Sequence, residues 1–258
     1  MNDKQAFRRN KVSNVIGYYA ALALAVITVI TFALGIMAVP ISGANAPGGG
    51  LPYPYLDTLQ QFPQDYFWMI GAMLLLLTYV VLMVSINSIV DEGKKLISRL
   101  GVLFSVMASV ILLLNYFIQV SVVPVSLAHN ETAGITLITQ YNPHGIFIAV
   151  EELGYILMSI SFLFLAFVFD GQGRLEAWIK WIFMVSFVLT AGAFLLILAV
   201  FGIERQDRFE VIVISINWLV LIINGILLSV FFNRRFKGDK YGLYGNQGQR
   251  RAPPKIRA

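Results

Sequence analysis

The chain has no cysteine and only two histidines, His129 and His144, among its 258 residues. Without thiols there is no disulfide, no thiolate zinc site, no iron–sulfur cluster and no cysteine nucleophile. Charge is equally scarce. Asp, Glu, Lys and Arg make up 13% of the residues, against about 25% in an ordinary soluble domain. Hydrophobic residues reach 58% and the mean hydropathy is +0.74, so the chain cannot cover itself with polar groups in water. An ordinary soluble enzyme, a disordered chain and a coiled coil are thereby excluded, and lipid is the main solvent. Several catalytic signatures are missing too. There is no Walker-type phosphate loop, since Gly171-Gln172-Gly173 is only a turn, and no Gly-x-Ser-x-Gly elbow or His-Glu-x-x-His pair. Neither histidine falls inside an apolar run, which argues against haem held by imidazoles, and no run carries an arginine ladder. No cofactor is implied, and the reading leans away from an enzyme.

What is present in abundance is apolar sequence of spanning length. Crossing about 30 Å of hydrocarbon takes about 20 residues of helix, and six runs qualify: 14–38, 66–90, 100–122, 146–169, 178–201 and 211–232. Each is apolar around its whole circumference, as membrane spans are. The strands of a transmembrane barrel are about 10 residues long and alternate in polarity, which these runs do not. The expected architecture is an all-α integral membrane protein with a six-transmembrane-helix bundle. It has a basic N-terminus at 1–13, a membrane domain at 14–232 and a basic tail at 233–258. Residues 44–46, Ala-Asn-Ala, resemble a signal-peptide cleavage site, but the preceding run is longer than a signal peptide's apolar core, so the first helix is read as uncleaved. The two halves of the chain show no visible repeat.

Lysine and arginine set the orientation, because loops rich in them stay cytoplasmic. With both termini inside, 17 of the 19 basic residues are cytoplasmic and only Arg205 and Arg208 lie outside. A location in the cell membrane is expected. Trp68 and Trp218 fall toward outer ends and Trp178 and Trp181 toward an inner end, as in an aromatic belt.

Both long outer loops lack lysine and arginine. In the first, Ala46-Pro47-Gly48-Gly49-Gly50 reads as a hinge and Pro52-Tyr53-Pro54-Tyr55 as an extended, polyproline-like strip. Leu56, Leu59 and Phe62 then recur at helical spacing, which predicts a short interfacial helix. This loop serves either as a lid on the bundle or as a surface for a partner. The second loop contains Asn130-Glu131-Thr132, formally a glycosylation acceptor, a pattern that arises easily by chance. The tail from Asn233 carries eight basic residues against Asp239 alone, which predicts disorder and contact with anionic lipid headgroups rather than with nucleic acid.

Polar residues at membrane depth are the candidates for function. Asn115 and Gln119 share one face of the third span with Tyr116, and Asn217 and Asn224 align on the sixth. Amides so placed commonly join helices, each bond contributing about 0.6–2 kcal/mol. The fourth span is more telling. If Asn142 caps its helix and Pro143 opens the first turn, then His144, Glu151 and Tyr155 share a stripe, with Ser159 nearby and Glu152 to one side. No lysine or arginine lies in that span, so each glutamate must face water, pair with another helix or take up a proton.

Three readings follow. In one, the glutamates are interfacial, one of them paired with Arg205 or Arg208. In the second, Glu151, Glu152, Tyr155, Asn115, Gln119 and Asn217 line an outward-facing pocket that binds or transports a small solute or ion. In the third, His129, Glu131 and His144, with Glu151 or Glu152, hold a catalytic metal. The pocket is the leading reading. The alternatives are a structural or regulatory subunit that docks a protein partner or a second copy, and a metal-dependent membrane enzyme. Gly192, in the fifth span, is compatible with close helix packing.

Overall fold

The computed structural model describes residues 3–38, 50–171 and 173–240. Among them there is no strand. Six helices are long and apolar enough to cross a membrane: α1 (Asp3–Met37), α2 (Phe67–Ile89), α3 (Lys95–Ser121), α6 (Ile146–Val168), α7 (Arg174–Phe201) and α8 (Arg208–Lys240). Two short helices, α4 (Val123–Ala128) and α5 (Ile135–Ile138), lie between α3 and α6. The protein is therefore a polytopic, all-α membrane protein, as its six apolar runs require. The Ala44–Ala46 segment, the hinge at 46–49 and the tail beyond 240 lie outside the described residues.

Helix ends run past the apolar runs. α1 starts at Asp3, α3 and α7 begin four or five residues early, and α8 continues to Lys240, through the first part of the segment expected to be disordered. Hydropathy falls where the bilayer ends, whereas backbone hydrogen bonding continues into the headgroup region. Basic side chains then close some of these ends. Lys94 Nζ donates to Val168 O at 3.0 Å, and Lys95 Nζ to Asn87 O at 2.7 Å. Each places positive charge on the unpaired carbonyls at a helix C-terminus, where it is favourable. Lys94 also pairs with Asp170.

The helices pack in chain order around a ring, α1 against α2 and α8, α2 against α3, α3 against α6, α6 against α7 and α7 against α8. α6 also meets α8 and is the inmost helix, with 61% of its most apolar stretch buried against 22% for α7. Consecutive spans, and α1 with α8, run antiparallel, whereas α6 and α8 run the same way. Gly17 of α1 lies at Phe232 of α8, while Gly35, near the other end of α1, lies at Trp218. The closest approaches need glycine. A Cβ on Gly154 would come within 2.4 Å of Leu112 Cγ, and one on Gly71 within 2.4 Å of Thr31 Oγ1. Gly192 has no neighbour within 4 Å of that position and makes no close packing here. Hydrogen bonds tie the middle of the bundle together: Tyr79 Oη donates to Ser161 Oγ (2.9 Å), which donates to Gly101 O (2.7 Å).

The loops at one end form a cap. Pro52–Tyr55 is folded, not extended: the Tyr55 amide donates to Pro52 O at 2.8 Å, with Tyr55 at φ 64°. That bond closes a turn and removes the polyproline strip. Leu56–Gln61 then forms a 3-10 helix that buries Thr58 and leaves Leu56, Leu59 and Phe62 exposed. The two loops are joined by Thr136 Oγ1, which donates to Pro54 O at 3.0 Å. Val123, Leu127 and Ile135 give the second loop a small core of its own.

Candidate functional site

Beneath this cap, the ends of α1, α2, α6 and α8 enclose a cavity of about 320 Å³. Its floor and walls are set by helix register. Glu151 enters from α6, one turn beyond Phe147 and Ile148, and is fully buried. Its Oε1 accepts a hydrogen bond from the Tyr116 hydroxyl. Its Oε2 receives no N–H or hydroxyl donor, and the group within hydrogen-bonding reach of this carboxyl from α8 is the carboxyl of Glu210. Glu210 stands in the first turn of α8, where a negative side chain meets the positive end of the helix dipole. Two buried carboxyl groups in contact require a proton or another positively charged donor between them.

Tyr155 lies one turn below Glu151 on α6. Its hydroxyl meets the Tyr116 hydroxyl at 3.0 Å and accepts the Trp218 indole N–H at 2.8 Å. This orients Trp218, which is 2% exposed and lines the cavity. Trp218 meets Phe32 edge to face, with centroids 5.6 Å apart, and Trp68 at 6.2 Å. The two outer tryptophans of the expected belt therefore wall the cavity, Trp218 because Tyr155 offers its N–H a buried acceptor. Trp178 and Trp181 remain exposed on α7, as a belt requires.

The far wall comes from the loops. Asp65 lies just ahead of α2 and is mostly buried, and Tyr141 donates to its Oδ2 at 2.9 Å. Burial, then the neighbouring Tyr66 hydroxyl and the Asp65 carboxylate, holds the Tyr141 hydroxyl well above the usual tyrosine range, so it remains a donor. Asp207 completes a set of four carboxyl groups with Asp65, Glu151 and Glu210, and among the described residues no lysine, arginine or histidine lines the cavity.

The other expected site residues are dispersed. Glu152, next in sequence to Glu151, turns away from the cavity to Arg205, with Nη1 2.6 Å from Oε1 and 2.5 Å from Oε2. This is the arginine pairing that the interfacial reading described for one of the two glutamates. Asn115 Nδ2 donates to Phe147 O at 3.1 Å, which fixes the start of α6 against α3. Gln119 holds the second loop, donating to Ile138 O and accepting from the Gln140 amide at 3.0 Å. Asn217 lies deeper, bonded to Val213 O at 2.8 Å and to Ser159 Oγ at 3.3 Å. These three amides join backbone and helices, and none lines the cavity.

The helix start at Asn142 is also corrected. α6 begins at Ile146, and Asn142 closes a local turn, its Oδ1 accepting from the His144 amide at 2.9 Å. That turn leaves His144 exposed and off the Glu151 stripe. His129 has Nδ1 2.9 Å from Val125 O, and Glu131 is exposed. Among the described residues no three His, Asp or Glu side chains form a group able to hold a metal ion.

Asp65, Asp207, Glu210 and Tyr141 escape a search of the apolar runs, because all four lie outside them. Asp65 and Glu210 each miss a run by one residue, and this adjacency is the signal that points to them. No protein-family model matches the chain, and neither a curated protein nor a solved structure is significantly similar to it.

Proposed function

We propose that this membrane protein binds a small solute or ion in the cavity between α1, α2, α6 and α8, at the end of the bundle that the distribution of lysine and arginine assigns to the outside. The observation that carries this reading is Glu151. Its carboxyl group is fully buried against that of Glu210 at the wall of a cavity within a membrane bundle, and such a pair is costly unless a shared proton or a positively charged occupant of the cavity satisfies it. The volume also suits the reading, since small-molecule sites usually enclose about 300–1,000 Å³ with mostly apolar walls and a few convergent polar groups. Glu152 is structural in this scheme, and its pairing with Arg205 gives an internal control.

Native mass spectrometry of the gently extracted protein tests the reading. Wild type and Glu152→Gln should carry a bound mass that Glu151→Gln lacks. A bare chain in all three, or a bound mass indifferent to Glu151→Gln, overturns it.

A further inference from the structure

We infer that the occupant of the cavity is an organic cation, its ammonium head against the paired carboxyl groups of Glu151 and Glu210 and its apolar body against Trp218, Trp68 and Phe32. The inference rests on the binding reading above and adds the chemical class of the ligand. Donor supply is the first argument. Glu151 Oε2 receives no N–H or hydroxyl donor and its carboxyl meets a second carboxyl group, while the Tyr141 hydroxyl is committed to Asp65 and the Trp218 N–H to Tyr155. Two carboxyl groups in contact take either a shared proton or a positively charged donor, and an ammonium group is a donor that reaches both acceptors at once.

Charge and ring chemistry point the same way. Four carboxyl groups line the cavity and, among the described residues, no basic side chain does, which disfavours an anion. The aromatic wall is continuous from Phe32 through Trp218 to Trp68, and the negative faces of such rings attract cations, tryptophan most strongly. A hard divalent cation is a poor fit, because it needs about six to eight oxygens for calcium, or near-octahedral oxygens for magnesium. Among the described residues no acidic group offers even three converging ligands. A space of about 320 Å³ also exceeds what a bare ion fills and suits a body of several carbons.

The test uses the full chain in nanodiscs of neutral phospholipid, titrated calorimetrically with phenethylammonium and tetraethylammonium chloride, neutral 2-phenylethanol, sodium phenylacetate and calcium chloride. The expected result is phenethylammonium binding at least tenfold more tightly than 2-phenylethanol. Glu151→Gln and Glu210→Gln should each weaken the ammonium at least tenfold and leave the alcohol unchanged. Tighter binding of the alcohol, the carboxylate or calcium overturns the cation assignment while leaving a cavity that binds. Failure of every titrant overturns the assignment, and together with a bare chain in the mass spectrum it removes the binding reading as well. If either variant does not fold, the comparison of probes on the unaltered chain decides.

Discussion

A rotation of about 100° along α6 sends Glu151 toward the cavity and Glu152 toward Arg205. The two side chains differ accordingly in what their loss should do. Glu152 is 4% exposed and Arg205 30%, so removing the arginine strands a buried carboxylate. Arg205→Ala should lower the stability of the extracted protein by about 3 kcal/mol, the lower end of the range for a broken buried pair, because the arginine is partly solvated. Adding Glu152→Gln to Arg205→Ala should recover much of that loss, since the stranded charge is gone. Thermal unfolding in one detergent checks both, and a double variant no more stable than Arg205→Ala contradicts the pairing. At this scale the sequence was half legible. Glutamates inside an apolar run stand out without any structure, and Glu151 and Glu152 do so. Asp65 and Glu210 belong to the same cavity, yet each sits one residue beyond a hydropathy boundary and so reads as a loop residue. Trp218 was misleading for a related reason: a tryptophan near a helix end suits the lipid interface equally well, and only Tyr155 from another helix reveals its acceptor.

Helix packing in this bundle is decided at a few glycines. α3 and α6 approach where Gly154 faces Leu112, and α1 and α2 where Gly71 faces Thr31. In lipid there is little hydrophobic drive between helices, so such close contact is a main source of association. Gly154→Ala should cost about 1–3 kcal/mol through overpacking, and Leu112→Ala in the same chain should relieve part of it by vacating the space the new methyl needs. Additive losses across that double-mutant cycle would mean that the contact is not formed. The number and approximate extent of the helices follow from run length alone. Which glycines matter does not: Gly192 and Gly154 look alike in sequence, and only the partner helix separates a crowded glycine from one with nothing near it. Asn142 shows the same limit, since a residue that suits a helix cap here bonds to a turn instead.

For the whole molecule, the natural absence of cysteine provides a direct test of orientation. Tyr53, 76% exposed on the cap, and Gly93, exposed at the opposite end between α2 and α3, are suitable sites for single cysteines. In intact cells a membrane-impermeant maleimide should label Tyr53→Cys, whereas Gly93→Cys should react only after permeabilisation. The reverse pattern would invert the topology and turn the cavity toward the cytoplasm. The distribution of basic residues predicts this orientation from the chain alone, while the cavity was not legible there, because it is assembled from four helices whose contributions are separated by up to 186 residues, from Phe32 to Trp218. The cavity's four carboxyl groups, with no lysine, arginine or histidine among the described residues that line it, also have a kinetic consequence. A recess of one sign with low-dielectric walls focuses its field outward and gathers counter-ions at its mouth. Cations should therefore arrive faster than diffusion to a neutral opening allows, with an association rate that falls steeply as salt is added, while their residence time inside, governed by short-range contacts, changes little.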